Sequence, residues 1–316
     1  MKRFVAVLIV VCLLFSLAAC SGGNEERSRL HIISTIFPSY DFARQITKGI
    51  DGVEVTMLIP PGTEPHAYEP SVQDMAQIKE CDLFIYLGGE SDQWVEELLA
   101  TFDKGEINTI KMIDCVPLLE EETVEGMQAE EHHHDDDEIS AHGENDEHVW
   151  TSPANAITIA EKIESQLLII DEENADKYAE NFTSYKSELS ALDQKLTDLN
   201  KIGKPIIVAD RFPFRYLSEK YDINYYAAFP GCSTESDPSA ATIAFLETKI
   251  KETGTKAVFY TEFSSQKVAD TLCEATGVKK LMLHSCHNVS KSDFENGATY
   301  VSLMEQNIKN LNEALN

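Results

Sequence analysis

The chain of 316 residues is long enough for two domains of ordinary size, and its 43% hydrophobic and 25% charged content is that of a globular protein. Lys plus Arg number 26 against 54 Asp plus Glu, a formal net charge of −28. That balance excludes nucleic acid as a natural partner, because a duplex binder needs a basic face to displace counterions, and it makes cations the natural partners.

Residues 1–20 read as a lipoprotein signal peptide. Lys2 and Arg3 form its positive start, and Phe4 to Leu17 is almost wholly apolar yet too short to span a bilayer comfortably. The stretch ends in Leu17-Ala18-Ala19-Cys20, which resembles a lipobox and makes Cys20 the expected lipidation site. The mature protein is then expected outside the cytoplasm, held to a membrane by lipid, with polar residues 21–29 as a tether. Removing the segment leaves Cys81, Cys115, Cys232, Cys273 and Cys286, an odd number, so one at least stays unpaired.

Residues 30–151 predict a first α/β lobe. His31–Ile36, Val53–Ile59, Leu83–Leu87 and Ile107–Ile113 are strand candidates, with helix signals between them and Ser71 placed to cap one of those helices. Strands alternating with helices imply a parallel, helix-covered sheet. Residues 120–147 break the pattern with Glu130-Glu131, His132-His133-His134, Asp135 to Glu138 and His142. So polar a run buries too little surface to fold alone, and it reads as an acidic, His-rich loop that collects metal ions weakly through His132, His133, His134 and His142.

Residues 152–202 predict a long linking helical region, opened by Ser152-Pro153. Its second phase, about Asp171 to Lys201, places Tyr178, Phe182, Tyr185, Leu189, Leu192, Leu196 and Leu199 in one stripe by steps of four and three. The stripe suits an intramolecular strut in a monomer better than a coiled-coil arm, because residues 203–316 repeat the alternating pattern. Pro205–Ala209, Ile223–Phe229, Ala257–Thr261 and Lys280–Leu283 are the strand candidates there. The expected fold is therefore α/β: two lobes, each with a parallel four-stranded sheet and flanking helices, joined by one long backbone helix.

Three histidines stand where such a fold binds ligands, at loop positions beside strand ends or helix starts. His66 lies in the rigid Gly62-Thr63-Glu64-Pro65-His66 loop, His148 lies where the acidic loop meets the helix, and His284 follows the Leu281-Met282-Leu283 run. Neutral imidazoles suit zinc and other first-row metals and disfavour calcium, which wants oxygen.

The chain after its signal resembles the solute-binding lipoproteins of zinc and manganese ABC transporters, the cluster A-I metal receptors. Ser34-Thr35-Ile36-Phe37-Pro38, Gly62-Thr63-Glu64-Pro65-His66, His148-Val149-Trp150-Thr151-Ser152-Pro153, Phe214-Arg215-Tyr216-Leu217, Tyr260-Thr261-Glu262-Phe263-Ser264-Ser265 and Tyr300-Val301-Ser302-Leu303-Met304 carry the likeness, in order and over nearly the whole chain. The resemblance implies a receptor that binds a metal between two lobes and docks on a transmembrane permease. It also makes Glu262 structural. Two departures stand out. The family's usual third histidine is replaced by Arg211, which stays protonated and cannot ligate a metal. The family's aspartate after the last strand aligns with His284.

The expected metal site is thus His66, His148 and His284, with Asp210 or Glu235 as a possible fourth ligand and His287 as an alternate. Cys232 and Cys286 are read as a disulfide in preference to thiolate ligands, and Cys81 and Cys115 as a second possible pair. A nitrogen-rich shell leans to Zn2+ over Mn2+. A zinc-dependent hydrolase would use a similar donor set, but no His-Glu-x-x-His or Gly-x-Ser-x-Gly motif is present, so a binding protein and not an enzyme is expected. A role in cell adhesion is a third class compatible with transport.

Overall fold

The computed structural model describes residues 30–103, 105–128, 145–199, 203–233 and 237–316. Cys20, His132, His133, His134, His142 and Glu235 lie outside them. Strands β1 (Leu30–Ser34), β2 (Val53–Met57), β3 (Leu83–Tyr86) and β4 (Asn108–Lys111) form a parallel sheet in the order β2-β1-β3-β4. Strands β5 (Ile206–Phe212), β6 (Tyr225–Pro230), β7 (Ala257–Tyr260) and β8 (Lys279–Met282) repeat the plan as β6-β5-β7-β8, again parallel. In each sheet the strand order reverses beside the first strand. Ligands of open α/β sheets sit in the crevice outside the strand C-termini at that switch.

Local sequence explains the elements. All of Leu83-Phe84-Ile85-Tyr86 is buried, as a parallel strand covered on both faces requires. Helices α1 (Phe37–Ile46), α2 (Val72–Glu80) and α3 (Gln93–Leu99) belong to the first lobe. Ser71 caps α2 with a capping box: the Asp74 N–H donates to Ser71 Oγ at 3.2 Å, and the Ser71 N–H donates to Asp74 Oδ2 at 2.7 Å.

The linking region is a helical hairpin, α4 (Pro153–Ile170) and α5 (Ala175–Thr197), broken by a 3-10 turn over Glu172–Asn174. Asp171 holds the turn, its Oδ2 accepting from the Tyr178 hydroxyl at 2.6 Å and from Asn174 Nδ2 at 2.7 Å. The long joining helix is α5. Its 23 residues span about 35 Å, less than the thirty-residue phase read from the sequence. Tyr178, Phe182, Tyr185, Leu189, Leu192 and Leu196 are its buried face. They join Ile32, Leu83, Val208 and Phe259 in one core continuous through both lobes.

The second lobe adds α6 (Arg215–Tyr221), α7 (Ala240–Thr253), α8 (Lys267–Thr276), α9 (Lys291–Glu295) and α10 (Tyr300–Leu315). Helix α10 ties the lobes together: the Tyr300 N–H donates to Asp41 Oδ2 and its hydroxyl to the Trp150 carbonyl, both at 2.7 Å. Strand β5 runs through Asp210 and Arg211, with a register irregularity after Val208, so it projects further toward the cleft than the expected end at Ala209. No helix among the described residues is long and apolar enough to cross a membrane.

Candidate metal centre

His66, His148 and His287 converge at the mouth of the cleft, one donor atom from each lying within 4.8 Å of the others. Their ring centroids are 4.9 Å apart for His66–His287, 5.4 Å for His148–His287 and 5.5 Å for His66–His148. Bonds of ~2.0–2.1 Å to a tetrahedral ion put nitrogens roughly 3.3 Å apart, so small side-chain shifts close the site on zinc.

Each ring is brought there by a different device. His66 rides a 3-10 turn over Pro65–Ala67, after the Pro60-Pro61-Gly62 corner. Gly62, at φ +83°, donates its N–H to the Val289 carbonyl at 2.8 Å, and Asn288 Nδ2 donates to the carbonyls of Pro60 and Thr63 at 2.9 Å each. His148 precedes a 3-10 turn over Val149–Thr151, and its carbonyl accepts from the Thr151 hydroxyl at 2.8 Å. His287 follows Cys286, whose φ of +62° turns the chain back toward the first lobe. There the Phe37 N–H donates to the His287 carbonyl at 3.3 Å.

Carboxylates behind the rings set which nitrogen faces the cavity. His148 Nδ1 lies 3.2 Å from Asp146 Oδ1, which also accepts the His148 N–H at 2.8 Å. His66 Nδ1 lies 2.8 Å from Ser91 Oγ, and that hydroxyl donates to Glu147 Oε2 at 2.5 Å. Both Nδ1 atoms are thereby engaged as donors, leaving the Nε2 lone pairs for a metal. His287 Nε2 is buried with no hydrogen-bond partner, an orphaned lone pair that a metal ion would satisfy.

The electrostatics suit ligation. Burial, reinforced by His148 and Arg211, lowers His66 to about 3, and burial with the same neighbouring charges pushes His287 well below its usual value. Both rings are therefore neutral near neutral pH. Burial would lower His148 as well, but the charge and hydrogen bond of Asp146, with help from Glu147, outweigh it and raise that ring's pKa.

His284 does not join the cluster. Its N–H donates to Asn307 Oδ1 at 2.7 Å, its Nδ1 accepts the Cys286 N–H at 2.9 Å, and Glu262 Oε1 lies 3.5 Å away. Both rings are buried, but His287, three residues further on, lines the cavity in the cleft and His284 does not. Asp210 is also committed elsewhere: its Oδ1 accepts the Arg211 N–H at 2.9 Å and its Oδ2 the Thr261 hydroxyl at 2.8 Å.

The expected disulfides are absent, since Cys81, Cys115, Cys232, Cys273 and Cys286 are all free thiols. Cys286 is wholly buried in the core, whereas Cys232 lies beside Asp146 and His148 as a second candidate donor set. Asp146 and Glu147, read from sequence as the end of a solvated acidic run, are buried. The described ends of that segment pair through a bridge between Glu120 and Asn145.

A cavity of about 30 Å³ opens on the cluster, walled by His66, His148 and His287 with Glu64, Arg211 and Glu262. Arg211 reaches across the cleft, its Nη2 donating to Glu64 Oε2 at 2.9 Å.

Comparison with known proteins places the chain in a family. The family described as zinc-uptake complex component A, periplasmic (ZnuA) matches residues 32–314. The zinc-binding lipoprotein AdcA of Streptococcus pneumoniae serotype 4 is 34% identical over 314 residues, covering 99% of this chain and 61% of AdcA. The chain thus spans less than two thirds of that relative's length. The high-affinity zinc uptake system protein ZnuA of Bacillus subtilis strain 168 is 32% identical over 324 residues, covering 99% of this chain and 98% of that protein. The crystal structure of the Zn(II)-bound ZnuA-like domain of S. pneumoniae AdcA superposes with a TM-score of 0.72 at 31% identity, over 90% of this chain and 98% of that domain. With its paired parallel sheets, its joining helix and a family match over almost its whole described length, the chain belongs to the ZnuA family of zinc-uptake components.

Proposed function

We propose that this protein is an extracytoplasmic receptor that captures one divalent transition metal ion, zinc foremost, on His66, His148 and His287 and delivers it to an ABC importer. The observation that carries the reading is the convergence of three imidazoles, two of them with Nδ1 tied to a hydroxyl or carboxylate and the third with a buried, unpartnered Nε2. An all-nitrogen shell favours zinc over manganese, which prefers oxygen. Membership in a family of uptake components favours capture over the hydrolase that the same donor set would permit.

The three-histidine set is preferred to the Asp146–His148–Cys232 set. Asp146 is already occupied in orienting His148, and burial drives the Cys232 thiol far above its usual pKa, which opposes thiolate formation. The lipobox-like run ending at Cys20 supports lipid anchoring to the cell membrane, and the burial of the α5 stripe within one chain supports a monomer. The test is zinc titration of the chelator-stripped protein by calorimetry with parallel metal analysis. One tight site per chain is expected; an absence of binding, or tight binding of several ions to the described core alone, would refute the reading.

A further inference from the structure

We propose that the captured metal takes its fourth ligand from solution, as a small monovalent anion of chloride or hydroxide size held against Arg211. This inference rests on the three-histidine reading above. Tetrahedral zinc needs a fourth donor, and the carboxylates that wall the cavity are already engaged. Glu64 Oε2 accepts from Arg211 Nη2 at 2.9 Å. Glu262 accepts the Ser285 N–H at 2.8 Å and the Ser285 hydroxyl at 2.5 Å. Asp210, which does not line the cavity, is held by the Arg211 N–H and the Thr261 hydroxyl. The cavity of about 30 Å³ is narrow, so a species that enters it beside the metal must be small or slender.

The guanidinium decides the charge of that species. Arginine offers five N–H donors and no acceptor, so it supports a metal-bound group that accepts hydrogen bonds. A coordinated neutral water keeps a single lone pair and turns two protons toward its surroundings, whereas an anion can accept several of the hydrogen bonds that Arg211 offers. Arg211 keeps its fork over the site through two anchors, Glu64 from the first lobe and the Ser233 carbonyl, 3.4 Å from Nη1, in the second. Arg211 is then a residue that selects the metal as a metal–anion pair, without touching the metal itself.

Cobalt(II) loaded in place of zinc reports its coordination sphere in the visible spectrum. The full chain is loaded with cobalt in Hepes with sulfate, an anion too bulky for the cavity, and titrated with chloride and separately with azide. A saturable one-step spectral change is expected with the metal still bound. Arg211→Met should raise the anion Kd by about tenfold or more, Arg211→Lys by less, and Glu64→Gln should lower it by freeing the guanidinium. Zinc affinity of the unsubstituted protein should rise with chloride, and that of Arg211→Met should not. Cobalt bound one to one with a spectrum indifferent to both anions would overturn this inference and leave the receptor reading intact. So would an Arg211→Met protein with unchanged anion affinity. Failure to bind cobalt or zinc at all would overturn both.

Discussion

The rings of His66 and His287 meet edge to face with centroids 4.9 Å apart, although one follows the second strand of the first lobe and the other the last strand of the second. The contact closes the interlobe cleft around a nitrogen-rich pocket, and replacing either ring removes a donor. His287→Ala should weaken zinc binding more than ~100-fold, beyond the range seen on losing outer-shell partners. His284→Ala should leave zinc affinity within a few-fold and lower stability instead, since that buried ring accepts the Cys286 N–H. Calorimetric zinc titration and thermal melts of the two variants separate these outcomes.

Ser91 relays Glu147 to His66, so Ser91→Ala should leave the ring free to rotate and cost about 10–100-fold in zinc affinity with little effect on melting temperature. An unchanged zinc Kd in that variant would show that the relay does not orient the ligand.

Gly89 sits at φ +81°, and a Cβ there would run into the Glu147 carboxylate. Gly89→Ala should destabilise the fold by about 1–2 kcal/mol from backbone strain alone. It should also weaken zinc binding by displacing Glu147 from Ser91. Denaturant melts paired with zinc titration test the two effects together.

Acid should release the metal and loosen the apo protein over the same window. His66 and His287 have folded pKa values below their unfolded ones, so between about pH 6.5 and about 3 the unfolded chain binds protons that the folded chain refuses. Stability from this pair is present above the unfolded value and is lost as pH falls. His148 has the opposite sign: its raised pKa contributes stability below the unfolded value, lost as pH rises through the folded one. In the apo protein two rings outweigh one, and melting temperature should fall from pH 7 to pH 5. In metal binding, a proton on His148 competes directly, so zinc affinity should drop on acidification through that ring's pKa first. Buffer-matched titrations across this range would show the drop, and a pH-independent Kd would contradict it.

The sequence carried the frame of this fold but not the aim of one loop. The α5 stripe from Tyr178 to Leu196 was legible because steps of three and four specify a single helical face whatever it packs against. His66 and His148 were legible because prolines and a helix start fix their places. The sequence offers His287 only as an alternate ligand. The position just past an apolar strand run points to His284, and nothing in sequence announces that non-glycine Cys286 takes a positive φ and swings the next ring to the cleft. The two buried carboxylates at the end of the acidic run, Asp146 and Glu147, were hidden by composition: a charge run reads as solvated unless its partners, here His148 and Ser91, are known.

Anomalous diffraction at the zinc edge, from crystals of the zinc-loaded protein, tests the central claim most directly. The account predicts one strong peak bonded at ~2.0–2.1 Å to the Nε2 atoms of His66, His148 and His287. A peak seated on His284, or between Asp146 and Cys232 with His66 and His287 uncoordinated, would contradict it.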